Sequence, residues 1–116
     1  MDNKQREVMM GEQVRVDFDE DMISVIHEDG TRESVKWSEL SAVVIKTTDQ
    51  GPLVEDVFFI LIGKDHQSGC VVPQGAIGEK ELFSALQDRL PGFDNEKVIE
   101  AMSSTDNHSF LIWSKV

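Results

Sequence analysis

Carboxylates are the most concentrated chemistry in this sequence. Asp17, Asp19, Asp21 and Glu28 fall at positions 1, 3, 5 and 12 of a calcium-loop frame, in which alternate side-chain oxygens converge on one hard cation. Position 6 of that frame is Met22, where the sharp turn demands glycine, and the flanking residues alternate as strands do. The run therefore reads as the solvated rim of a hairpin. His27, His66 and His108 are scattered, and His66 with Cys70 supplies two ligands where a structural zinc ion takes four. No metal or cofactor is expected. Cys70 lies in a β-branched stretch and should behave as a small buried hydrophobe, because a catalytic thiol wants a base and an electropositive setting. The chain has no glycine-rich phosphate loop, nucleophile elbow or paired-carboxylate motif.

A second polar group is Thr47-Thr48-Asp49-Gln50-Gly51-Pro52. It gathers hydroxyls, an amide and a carboxylate between the two most hydrophobic stretches, so a rigid scaffold would present them together. With Asp56 or Asp94 it is the candidate site for a small-molecule enzyme or a ligand-binding protein. The same residues suit an ordinary turn, in which Thr48 and Asp49 satisfy nearby backbone donors. Trp37 and Trp113 are expected to supply buried area, and Trp113 is also a candidate anchor for a partner.

The elements that must position these residues are set by periodicity. Val14, Val16 and Phe18 alternate with Arg15 and Asp17, which predicts a half-buried strand. After Asp19-Glu20-Asp21 comes a second strand, Met22–His27, and Asp29-Gly30 predicts a tight turn back through Glu33–Trp37. A short turn at Trp37–Leu40 leads to Ala42–Thr47, whose Val43-Val44-Ile45 core predicts burial on both faces. Val57–Ile62 is the most apolar run and should be central; Cys70–Val72 is a short strand ended by Pro73. The period then changes. Leu82, Phe83, Leu86 and Leu90 share one helical face, with Gly78 before it and Pro91-Gly92 after it. Asp94 should cap a second helix to about Ser103, with Phe93 and Val98 as a hydrophobic staple, and Ser109–Lys115 reads as a last strand. Met1–Gly11 is expected to be a frayed tail or a short helix. The whole predicts one α+β, mainly β domain over residues 1–116.

Composition narrows the function. Eleven Lys and Arg against 22 Asp and Glu leave a net charge of −11. Binding to phosphate backbones or anionic membranes needs clustered cations, so no nucleic acid and no membrane are expected as partners. Met1–Glu33 holds ten acidic and four basic residues, a net of −6, so more than half of the excess lies there. An acidic face of this kind, centred on Asp19, Glu20 and Asp21, steers association with a basic protein. Solubility alone would also account for it. With one cysteine, no apolar run of membrane-spanning length and no secretory signal in Met1–Gly11, a reducing cytoplasm is the expected location.

Six short strands followed by an amphipathic helix resemble a pleckstrin-homology-like (PH-like) barrel, or a strongly bent sheet, with the helix plugging an open end. The resemblance covers roughly Gln13–Leu90. It is most specific at Val35-Lys36-Trp37-Ser38-Glu39-Leu40 with Val43 and Ile45. The helix and strand after Pro91 depart from that pattern; a mixed sheet with two helices on one face would give the same order of elements. Thr47–Pro52, Pro91–Asp94, and Phe110 with Trp113 look like signatures of small bacterial proteins with no assigned activity, which implies a bacterial source. The expectation is a non-catalytic binding module of the bacterial cytosol that takes a protein partner on an acidic face, in the manner of an immunity protein or inhibitor. Phosphoinositide binding would come from the PH-like resemblance alone and conflicts with the charge.

Overall fold

A computed structural model of the chain describes residues 14–48, 57–65, 68–104 and 106–115. The expected tail, Met1–Gly11, lies outside them. The described residues build two antiparallel sheets and two helices. Strands β1 (Arg15–Phe18), β2 (Met22–Ile26) and β3 (Arg32–Lys36) form the first sheet in the order β1-β2-β3. Strands β4 (Leu40–Thr47), β5 (Val57–Gly63), β6 (Gly69–Pro73) and β7 (His108–Ser114) form the second in the order β6-β5-β4-β7. Helices α1 (Glu79–Arg89) and α2 (Asn95–Met102) come between β6 and β7.

The local signals produce the elements they predict. Gly30, at φ 90°, closes the β2–β3 hairpin, and Asp29 secures it by accepting from the Thr31 N–H at 3.0 Å. The Asp94 carboxylate accepts from the Lys97 N–H at 2.9 Å and caps α2, with Phe93 and Val98 buried on either side of the cap. Leu82, Leu86 and Leu90 are buried, while Gln87 and Asp88 face solvent. Phe83 packs between Phe59 of β5 and Phe93, with ring centroids 5.9 and 5.7 Å apart, and so joins α1 to the inner face of the second sheet.

A closed barrel does not form. Closure through a meander would need β3 to ladder with β4, but a 3-10 turn at Trp37–Glu39 carries the chain into the other sheet. The edge of β4 that β3 would have taken is occupied by β7, paired from Ala42↔Ser114 to Thr47↔His108. The free edge of β1 is also closed from elsewhere. The Val16 N–H donates to Ile77 O and the Ile77 N–H to Val14 O, both at 2.8 Å. Gly78 allows that approach: it sits at φ 91°, and a Cβ there would lie 2.5 Å from Val16 O.

The core lies between the two sheets and under the helices. Its largest fully buried side chains are Ile23, Leu40, Ile45, Leu61, Leu82, Leu86 and Ile112. The expected two-faced burial of Ala42–Thr47 is not seen. Val43, Ile45 and Thr47 are buried, but Val44 is only half-buried and Lys46 is exposed. The helices and the first sheet cover one face of this sheet and leave the other.

Candidate functional site

The acidic turn is held by its own backbone and by α1. The Asp19 carboxylate accepts from the Asp21 N–H at 2.8 Å and the Met22 N–H at 2.9 Å, which builds the link from β1 to β2. Those two bonds, helped by the nearby Arg89 cation, hold the Asp19 carboxyl below its usual range. Arg89, in the last turn of α1, donates to Asp19 O at 3.2 Å and Glu20 O at 2.9 Å. Its guanidinium lies 4.0 Å over the Trp37 ring, and the Trp37 indole N–H donates to Asp19 O at 2.9 Å. Glu20 and Asp21 remain exposed. Asp17, first in the calcium-loop frame, is instead a strand residue opposite Ser24. Among the described residues, no three His, Cys, Asp or Glu side chains are grouped as metal ligands.

The residues of the polar loop divide. Thr47 ends β4, is buried, and donates its hydroxyl to Asp106 O at 2.7 Å, a link between β4 and the approach to β7. The Thr48 hydroxyl is buried and finds no hydrogen-bond partner among the described residues. Asp49, Gln50 and Asp56 lie outside the described residues. Asp94, the other carboxylate considered with this loop, serves as the α2 cap. Trp113 is half-buried against the core and donates its indole N–H to Pro91 O at 2.9 Å, so it ties β7 to the link between the helices.

The other candidates for chemistry stand apart. Cys70 is 2% exposed, its Sγ is 3.9 Å from Ile23 O, and burial pushes its thiol pKa up to about 12. His27 lies 3.6 Å from the Glu33 carboxylate, and His108 rests beside the Phe110 ring at 5.8 Å.

Among the described residues, nothing packs on the outer face of the second sheet. Ladder register puts Val71, Ile60, Val44 and Leu111 in one row across all four strands. Val71 and Leu111, at its two ends, are 40% and 55% exposed. On one side of this row run Ile62 and Ala42, and on the other Phe58 and Lys46. All of these but the exposed Lys46 are half-buried. Beside the small Gly69, a shallow hollow opens between Ile60, Ile62 and Val71. Among the described residues, the outward strand positions carry no carboxylate, in a chain with 22 of them. Glu33 reaches only the rim, where it accepts from the Val71 N–H on the β6 edge at 3.1 Å.

No family model, curated protein or solved structure matches the chain. The candidate site therefore rests on its own chemistry. Sequence reading placed polar residues in the foreground and missed this face, although the signal was present. Val57–Ile62 is apolar at both alternating phases, which a strand needs only if both of its faces are covered.

Proposed function

We propose that the protein is a non-catalytic, protein-binding module of the bacterial cytosol, docking through the outer face of its second sheet. The observation that carries this reading is the aliphatic row Val71–Ile60–Val44–Leu111, which no other described residue covers, a contiguous apolar surface of the kind that marks interaction sites. A central apolar patch flanked by charge at a distance is the anatomy of a protein interface. The acidic turn has a different part in the reading. Glu20 and Asp21, with the other carboxylates of the first sheet, raise the encounter rate with a basic partner, as an immunity protein or inhibitor would need. The net charge of −11 supports the exclusion of nucleic acid and anionic membrane as partners. No described helix is long and apolar enough to cross a membrane. The PH-like relationship belongs to the same proposal and rests on the order of six strands and a helix. Use of the loop after Thr47 for small-molecule chemistry has less support, since the Thr47 hydroxyl and Asp94 are both engaged in holding the fold.

The test is affinity capture from the native host with the wild-type chain and a Leu111→Glu variant, then reconstitution with the purified captured protein. The docking reading expects a defined protein to bind the wild type and to be lost with the variant. Equal binding of that protein by the variant refutes the face as its docking site.

A further inference from the structure

We infer that the occupant of this face is a second copy of the same chain, two second sheets packing face to face as a two-fold sandwich. The inference rests on the docking reading above and adds the identity and geometry of the partner.

Shape is the first argument. On the outer face, β5 presents a ridge of large side chains, Phe58, Ile60 and Ile62, beside β4, whose Ala42 and Val44 are shorter and whose Lys46 stands exposed at one end. A two-fold axis lying between the copies, parallel to the strands and midway between β4 and β5, sets the ridge of each copy over β4 of the other. Ile62 then faces Ala42, Ile60 faces Val44, and Phe58 lies against the Lys46 stem and ammonium, a favourable cation–π arrangement. The same operation carries Leu111, the most exposed residue of the row, over β6 and the hollow beside Gly69. An axis across the strands instead puts β5 on β5, ridge against ridge. Sheets packed face to face run within about 30° of alignment, which the strand-parallel axis permits.

Charge is the second argument. Among the described residues these outward strand positions carry no carboxylate, although the chain is at −11, so a second copy meets no like charge there. A like-charged copy requires such a carboxylate-free contact, because acidic groups meeting across a two-fold would repel. Area sets the strength. Strands of eight, seven, five and seven residues, about 4.8 Å apart and rising about 3.4 Å per residue, cover roughly 440 Å² per copy. A stable dimer buries about 800 Å² per partner, so this contact is a weak, concentration-dependent one.

Sedimentation equilibrium on the full chain, monomer mass 13.1 kDa, tests this with the protein itself as probe. The expected result is monomer near 1 µM and dimer approaching about 1 mM, the range open to a small interface. Val44→Glu alone and Ile60→Lys alone each abolish the dimer seen approaching about 1 mM, because each puts an unpaired charge into an apolar contact. Mixing these two variants restores association, because the two-fold sets position 44 of one copy over position 60 of the other. Leu111→Glu, at a position already half in water, gives the same loss of association without threatening the fold, as its circular dichroism should verify. A wild type that stays monomeric to about 1 mM overturns the second copy, leaving the docking reading to the capture experiment. Association that survives all three single variants puts the contact elsewhere on the surface and overturns the second copy on this face, while the docking reading still stands or falls by the capture experiment. Single variants that dissociate but do not rescue each other overturn this axis.

Discussion

Replacing Arg89 by Ala removes a side chain that joins the end of α1 to the acidic turn. Three contacts go with it: the bonds to Asp19 O and Glu20 O and the stacking over Trp37. In this exposed setting each bond is worth roughly 0.5–1 kcal/mol and the cation–π contact about the same, and the cation also favours its helix C-terminus by about 0.3 kcal/mol. The expected loss is therefore about 2 kcal/mol, a fall in melting temperature of roughly 8 °C for a domain of this size. Urea denaturation of both proteins, with unchanged slope, reads the difference directly. Arg89→Lys should recover less than half, since an ammonium cannot fork between two carbonyls while stacking on indole. Salt gives the sharper test. The turn carries the carboxylates of Asp19, Glu20 and Asp21, but the guanidinium bonds run to carbonyl oxygens. The loss should thus persist at about 0.5 M salt, where exposed ion pairs are largely screened. A cost below about 0.5 kcal/mol, or one that vanishes in salt, refutes the clamp.

Leu86→Ala, fully buried on the core face of α1, should cost about 2–5 kcal/mol through lost transfer energy and a cavity; a surface-like value below about 0.5 kcal/mol would take α1 out of the core. Neutralising Glu20 and Asp21 to Gln and Asn should leave stability within about 0.5 kcal/mol per site, whereas Asp19→Asn should loosen the β1–β2 link, seen as faster amide exchange at Asp21 and Met22. Because the folded-state pKa of Asp19 is depressed, its contribution is present above the ordinary value of 3.8 and is lost as pH falls through the lower folded value; Asp19→Asn should remove that part of the acid sensitivity. Cys70 has the opposite sign: with its pKa raised from 9.0 to about 12, stability is unaffected below 9 and declines between 9 and 12 as the unfolded thiol ionises first. Cys70→Val should flatten that alkaline decline, and the native thiol should resist alkylation at neutral pH until the protein unfolds.

Elements whose causes are local were legible in the residues. Asp29-Gly30 demands a hairpin, Asp94 caps the helix that begins beside it, and Leu82, Leu86 and Leu90 can share a face only on a helix. The features that eluded the sequence depend on partners far along the chain. That β4 takes β7 rather than β3 depends on competition for one edge, and nothing near Ala42 records it. Thr47 looked available beside Thr48 and Asp49 because its acceptor, Asp106 O, is 59 residues away. Arg89 carried no signal in a window of α1, since its contacts are 69 and 70 residues upstream. For the candidate site, the apolar phase of Phe58, Ile60 and Ile62 was visible, but whether it would be covered is a property of the packing of helices and sheets.

The placement of β7 beside β4 bears on how the chain reaches this state. β4 and β5 can zip as neighbours in sequence, and β6 can add to them, but the other flank of β4 must wait for the last strand in chain order. A chain in which β7 has yet to dock would carry an open edge of backbone donors and acceptors on β4 together with the aliphatic outer face of β4, β5 and β6. That combination is what templates intermolecular pairing and aggregation. The surplus of carboxylates then acts on kinetics: chains at −11 repel one another during the interval in which the edge is unpaired, and closure by β7 competes with a slowed collision rate.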